Sequence, residues 1–413
     1  MIKRKIILEL RKHLEQPEIT VIIGPRQAGK TTVMREIFQE LREKQHKALW
    51  LNLDIEDDAQ HLSSQSKLIR KIELELGKQK GFVFIDEIQR KEDSGVFLKG
   101  LYDMGLPYKF IVSGSGSMEL KERVHESLAG RKRVFELSTV SFEEFVDYRT
   151  EYRYQHRHRE FLSVDPQKME LFVEEYLQFG GYPRVILAPT LEEKLAIIQE
   201  IYQSYLERDI AFLLQVRKTH HFSQLFRLLA AQVGQMLHAA ELSRTLGISL
   251  PTIQEYLWLL EKTCMIHRVT PYFRNVRKEI TKSPVYYFTD LGLRNFATGV
   301  FSRELKASEK GYLFQNFVFL ALYDQKSPEG RIAYWRTKQA DEIDFVMEVG
   351  DRIIPCEVKY LTLKQPEIPH SMKKFFAEYS PKIGLLVNRE LETTIDLDGG
   401  KLLFCRYFPS LRD

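Results

Sequence analysis

The sequence predicts an α/β multidomain chain carrying two separate sheets, and three observations lead there. A glycine-rich loop, "GPRQAGKTT", joins a β-rich apolar run to a helical pattern near the amino terminus. Apolar runs of strand length alternate with helical segments up to about residue 145, the pattern of a buried parallel sheet. A second set of strands, "RIAYWRT", "EIDFVMEV", "RIIPCEVKY" and "KIGLLVN", follows the helical stretch "EKGYLFQNFVFLALYDQ". At 413 residues the chain exceeds one ordinary core. The expected divisions are 1–145 for the loop-bearing domain, 146–215 for a helical lid or linker, 216–290 for a winged helix and 291–413 for the last α/β domain.

The first domain is read strand by strand. "EITVIIGP" leads into the loop, "KALWLNLD" ends in an acid, and "GFVFIDEIQR" and "YKFIVSGSGS" complete the set. Gly24, Pro25, Arg26, Gln27, Ala28, Gly29, Lys30 and Thr31 fit G-x-x-x-x-G-K-S/T between a strand and a helix, and Thr32 follows. Glycines let backbone N–H groups approach phosphate oxygens, and the helix terminus adds partial positive charge. Lys30 is expected at the β/γ-phosphates and Thr31 on Mg²⁺. In "FVFIDEI", Asp86 emerges as the second Mg²⁺ holder and Glu87 as the group that orients and deprotonates water. The expected cofactors are therefore ATP and Mg²⁺. Ser113, with Ser115, ends the next strand as a sensor of the terminal phosphate or as a tight turn. Arg131, in "SLAGRKRVFEL", is a candidate arginine finger, or a solvent-facing member of a cluster with Lys132 and Arg133. A finger acting in trans requires a homo-oligomer.

The middle of the chain turns helical from "SFEEFVDY", broken at "FGGYPRV". "TEYRYQHRHRE" reads as an exposed basic loop, and its alternating aromatics also suit single-stranded nucleic acid. "HAAELSRTLGISLPTIQEYLWLLEK" has helix-turn-helix punctuation. Ala240, Leu242 and Leu246 form a stripe, Gly247 permits a left-handed turn, and Ser249 caps the next helix. A basic wing with Arg274, Arg277, Lys278 and Lys282 follows, suited to phosphate contacts or to domain packing.

In the last domain, residues two apart on a strand share a face. Glu357 and Lys359 thus point the same way, and Asp344 sits on the preceding strand. Asp344 and Glu357 form a candidate site for a second divalent cation, Mg²⁺ or Mn²⁺, with Lys359 beside an attacked phosphate. Glu342 shares the face of Asp344.

"GPRQAGKTT", "FIDEIQ", "SGSGSMEL", "SLAGR", "SFEEF", "FGGYPRV", "ERDI" and "VYYFTDLGLRN" together resemble a bacterial and archaeal family of AAA+-type ATPases. That resemblance implies an AAA+/RecA-like ATPase domain joined to a winged helix and a nuclease-like domain. The last strands resemble the PD-(D/E)XK core of restriction-endonuclease-like folds, with Asp344, Glu357 and Lys359 in the matching positions. Related sequences carry glutamate on the opening helix where this chain has Gln315, which lowers the negative charge of the site. The implied function is ATP hydrolysis coupled to action on nucleic acid, with DNA cleavage as its strongest form. The alternative is a nucleotide-dependent switch or binding module with an inactive nuclease-like domain.

Composition bounds these readings. The net charge of +4, from 61 basic and 57 acidic residues, excludes a polycation, so nucleic acid must meet a local patch. Cys264, Cys356 and Cys405 are scattered and odd in number, which fits a reducing cytoplasm. No apolar run approaches the roughly 18 residues of a membrane span. No membrane partner is expected.

Overall fold

A computed structural model describes residues 1–114, 128–206, 220–273, 283–303, 305–327 and 329–409. The chain forms two compact units that are discontinuous in sequence. The first comprises Met1–Val140, Tyr182–Thr219 and Tyr256–Met265; the second comprises Ser141–Gly181, His220–Glu255 and Ile266–Asp413.

The first unit holds a five-stranded parallel sheet in the order β2-β3-β4-β1-β5. Its strands are β1 (Ile19–Ile23), β2 (Ala48–Asn52), β3 (Gly81–Asp86), β4 (Tyr108–Ser113) and β5 (Lys132–Glu136). Every residue of β1, β3 and β4 is buried, because helices cover both faces. The period of two sorts the side chains. Val83 and Ile85 pack toward the helices Gln65–Leu76 and Ser94–Asp103, whereas Phe82 and Phe84 pack toward Ile6–His13 and Lys30–Glu43.

β5 was not anticipated: "RKRVFE" carries three cations and reads as a surface run. It forms the sheet edge, pairing with β1 from Ile19↔Lys132 to Ile23↔Glu136, with only Phe135 fully buried. At the other end of the sheet from the glycine loop, buried His13 meets Thr20 Oγ1 at 2.8 Å and Lys109 Nζ at 3.3 Å. Lys109 donates to the carbonyls of Gln16, at 3.0 Å, and Glu18. Burial, then the charges of Lys109 and Arg133, push the His13 pKa down to about 4. The unfolded chain therefore binds the extra proton below about pH 6.5. Stability should fall with acidification from there toward pH 4, by about 2 kcal/mol at pH 5. Denaturant melts at pH 7 and pH 5 should show a smaller loss in His13→Gln than in the native chain; equal losses would refute the assignment.

The second unit contains a six-stranded mixed sheet in the order β12-β13-β11-β10-β9-β8 and a hairpin of β6 and β7. The strands are β6 (Ile266–Val269), β7 (Val285–Phe288), β8 (Arg331–Arg336), β9 (Glu342–Val349), β10 (Arg352–Val358), β11 (Ile383–Asn388), β12 (Thr393–Leu397) and β13 (Gly400–Arg406). β10, β11 and β13 run parallel, while β8–β9, β9–β10 and β12–β13 are antiparallel pairs. One face packs on the helix His370–Tyr379 through Met372, Phe375 and Phe376.

Asp290 binds two stretches of this unit. Its Oδ2 accepts from Gly181 N at 2.7 Å, and its Oδ1 accepts from Leu293 N at 2.9 Å, capping the helix Leu291–Ala297. Asn295 Nδ2 donates to the carbonyls of Leu177 and Gln178 at 2.8 and 2.9 Å. A Cβ on Gly292 would lie 2.1 Å from the Phe179 carbonyl oxygen. Much of "FGGY" and "TDLGLRN" is therefore a packing device.

Two surface readings change in detail. In the basic run, Arg153 pairs with Glu151 and Arg157 with Glu160, and His158 turns inward to Asp147 at 2.7 Å. Ala240 is exposed rather than part of a buried stripe, while Leu242 is buried. Gly247 adopts φ 66° after the helix Ala239–Leu246, and Ser249 Oγ accepts from Thr252 N at 3.3 Å. Ser115, Arg274, Arg277, Lys278 and Lys282 lie outside the described residues.

Candidate nucleotide site

The parallel sheet brings β1, β3 and β4 to one carboxy-terminal edge. There the chain leaves β1 through Gly24 and turns into the helix Lys30–Glu43 at Gly29. Gly24 has φ 153°, and a Cβ on it would stand 2.1 Å from the Leu137 carbonyl oxygen. The loop therefore lies against backbone that no side chain can displace cheaply. Gln27 and Gly29 both take positive φ, 61° and 99°. Lys30 is buried at the helix start, its Nζ donating to the carbonyls of Gly24 at 3.0 Å and Pro25 at 2.9 Å. Arg4 Nη1 donates to the Ala28 carbonyl at 3.0 Å, and its Nη2 reaches the Ser138 and Thr139 carbonyls at 2.7 and 3.1 Å. One guanidinium thus fixes the loop to the chain beyond β5.

Asp86 ends β3, buried, with Oδ1 accepting from the Ser113 hydroxyl at the end of β4. The same Ser113 oxygen accepts from Glu87 N at 3.2 Å. Ser113 thus ties the Asp86 carboxylate to the Glu87 backbone through its hydroxyl. Glu87 has φ 58° and accepts from Gln89 Nε2. Glu87, Gln89, Arg26, Lys30, Thr31 and Thr32 line a cavity of about 410 Å³, which also touches Ile2, Pro183 and Arg184. Hard oxygens on Asp86 and Thr31 suit Mg²⁺.

Arg131 is not in this assembly. Its backbone carbonyl accepts from Ile19 N at the start of β1, and its Nε pairs with Asp103 at 2.6 Å. The five residues of β1 separate it from the loop, about 16 Å at strand rise. As a finger within its own chain Arg131 is ruled out by that placement. A cation from outside the sheet that does reach the loop is Arg184, at the start of the helix Pro183–Leu187. It donates to Gln27 Oε1 at 3.0 Å and to both Glu200 oxygens at 2.8 and 3.0 Å. Contact with Glu200 raises its pKa above the ordinary arginine value. Sequence reasoning passed over Arg184, because nothing local in "FGGYPRV" indicates a partner more than a hundred residues away.

Residues 16–146 match the family model described as an AAA domain. The matched segment holds the glycine loop and the parallel sheet, and it is similar to AAA domains. Residues 171–304 and 310–405 match two domains of unknown function, DUF8612 and DUF4143. An uncharacterised protein of Mycobacterium tuberculosis is 29% identical over 376 residues, covering 90% of this chain and 76% of that protein. One from Haemophilus influenzae is 24% identical over 399 residues, covering 94% and 92%. Among solved structures, the Aeropyrum pernix ORC1 protein in complex with DNA aligns at TM-score 0.30 and 12% identity, covering 72% of this chain and 93% of that one. Replication initiator DnaA bound to AMPPCP and single-stranded DNA aligns at TM-score 0.32 and 15% identity, covering 63% and 90%. No helix among the described residues is long and apolar enough to cross a membrane.

Away from the AAA domain, the second unit brings its predicted residues together. Cys356 pairs with Phe345, so the next antiparallel pair sets Glu357 against Asp344 on one face. Gln315, on the helix Ala307–Gln325, donates its amide to Asp344 Oδ1 at 2.7 Å. Val358 N donates to Asp344 Oδ2 at 2.7 Å, and Lys359 Nζ to Glu357 Oε1 at 2.7 Å. Burial, then the Glu357 charge, holds the Asp344 carboxyl well above the usual carboxylate range. Burial likewise raises Glu357. Burial would lower the Lys359 pKa, yet contact with Glu357 and the charges of Asp344 and Glu342 together outweigh it and raise the value. Glu342 pairs with Arg336 at 3.2 Å instead of joining Asp344.

Glu357 Oε2 is buried without a hydrogen-bond partner, the one free oxygen of this pair. Both Asp344 oxygens already receive N–H donors. No cluster of three or more His, Cys, Asp or Glu able to hold a metal occurs among the described residues. Gln315 and Val358 thus occupy both Asp344 oxygens, and Glu357 Oε2 is the oxygen left open in this donor set.

Proposed function

We propose that the AAA domain binds ATP with Mg²⁺ and hydrolyses it. The carrying observation is the convergence of Lys30, Thr31 and Glu87 on one cavity, with Asp86 wired behind it by Ser113. Phosphate oxygens take the place of the Gly24 and Pro25 carbonyls as acceptors for the Lys30 ammonium, beside the N–H groups of the helix start. Mg²⁺, held by Thr31 and Asp86, supplies charge neutralisation when bound. Glu87 orients a water and accepts its proton as the oxygen bonds to the terminal phosphorus. The bond to the β-phosphate oxygen breaks, giving ADP and phosphate. Calorimetry with Mg-ATP, paired with a phosphate-release assay, tests this; no heat at millimolar nucleotide would end it.

The second unit serves, in this reading, as the responding module, with nucleic acid as its partner. The helix-turn-helix punctuation around Gly247 and the basic sequence before β7 support that choice. The buried cysteines, none of them in a disulfide among the described residues, suit a cytoplasmic setting. A nuclease-type fold without cleavage is favoured over a cutting site, because Gln315 places a donor on Asp344 where a metal ligand would be needed. Gln315→Glu should therefore lower the melting temperature in chelator, by crowding a third carboxylate beside two buried ones. Millimolar Mn²⁺ should restore it, while leaving the native chain unmoved. Plasmid cleavage by the native chain with Mn²⁺, lost in Lys359→Ala, would overturn the non-cutting assignment.

A further inference from the structure

Arg184 lines the same cavity as Lys30 and Thr31, yet its guanidinium is engaged by a carboxylate of its own chain. Glu200, on the helix Leu191–Ser204, takes both terminal nitrogens in a two-pronged contact at 2.8 and 3.0 Å. Gln27, three residues before Lys30, holds the same guanidinium from the loop side at 3.0 Å. The pair is open to solvent, with side chains 49% and 54% exposed. Such a contact is geometrically specific but weak, and it is easily exchanged. A terminal phosphate offers the same two-pronged geometry with more charge.

Resting on the ATP reading above, we propose that Glu200 competes with the terminal phosphate of the nucleotide for Arg184, so that triphosphate binding exchanges one partner for the other and unties the helix Leu191–Ser204. Diphosphate, lacking the terminal group, drives this exchange less. The two helices have room to respond: Leu187, Ala188, Ala196 and Ile197 line a groove of about 320 Å³ beside Arg184. Arg184 is then the residue that distinguishes triphosphate from diphosphate, and Glu200 withholds it until the terminal phosphate arrives.

The test is titration calorimetry of the full chain with Mg-AMPPNP and Mg-ADP. Glu200→Gln is expected to bind AMPPNP about 2–5-fold more tightly, matching the small worth of an exposed pair. Its ADP affinity should stay within error of native. Arg184→Ala should bind AMPPNP about 10-fold more weakly and lose most of its preference over ADP. The double variant should behave as Arg184→Ala alone. An unchanged AMPPNP-to-ADP ratio in Glu200→Gln, with the native chain binding both, overturns the exchange but leaves the nucleotide site standing. Absence of binding by the native chain defeats the nucleotide reading itself and the exchange with it.

Discussion

Lys30→Ala should bind Mg-ATP about 10–100-fold more weakly, since a charge-assisted hydrogen bond is worth about 1.5–3 kcal/mol. Turnover should fall further, by about 10²–10³-fold, because the ammonium meets more negative charge in the transition state than in the bound substrate. The geometry explains why one residue matters this much. Lys30 is the first residue of its helix, buried, with its charge pointed back at the loop carbonyls. The site thus keeps a cation desolvated and aimed where phosphate oxygens would sit. Lys30→Arg should not rescue it, because a planar fork does not replace a compact ammonium. Calorimetry and phosphate release read both effects; native-like affinity in Lys30→Ala would remove the phosphate-binding assignment.

Glu87→Gln should separate binding from chemistry. Affinity for Mg-ATP should stay near native, while hydrolysis falls by about 10²–10⁴-fold through loss of the proton acceptor. The substitution keeps the side-chain size, and the Ser113 contact is made by the Glu87 backbone N–H, so the β3–β4 bridge survives. The left-handed backbone at Glu87 turns the chain sharply out of β3, and its side chain lines the cavity. Undiminished phosphate release by Glu87→Gln would exclude Glu87 as the acceptor. Together the two variants divide the site into a gripping part and a reacting part.

β1, β3 and β4 were legible because each is an apolar run buried on both faces, bounded by loop residues; β2 is an apolar run too, although only Leu51 in it is fully buried. β5 was not, because an edge strand buries one side chain and leaves its cations in water. The hairpin of β12 and β13 left a usable signal that went unread: Asp398-Gly399, a turn pair whose φ values are 44° and 80°. Asp344, Glu357 and Lys359 were readable from strand alternation, and Gln315 was visible as a departure from the expected acid. What the alternation omits is the direction of hydrogen bonding, and that decides whether Asp344 has oxygens to give. Arg131 and Arg184 illustrate the limit of local reading. Both are arginines close to a glycine, and only the tertiary fold puts one against Asp103 and the other on the loop.

Val140, Gly181, Thr219, Glu255 and Met265 each end a stretch of one unit and hand the chain to the other. Neither body can be released by a single cut, nor made alone from one contiguous piece. The ribosome delivers the whole AAA sheet early, yet the last segment assigned to that body, Tyr256–Met265, emerges far later. A version running from the amino terminus to any point before Met265 therefore lacks part of both bodies, and an insertion is better tolerated at an exposed turn such as Gly350 than at any hand-over.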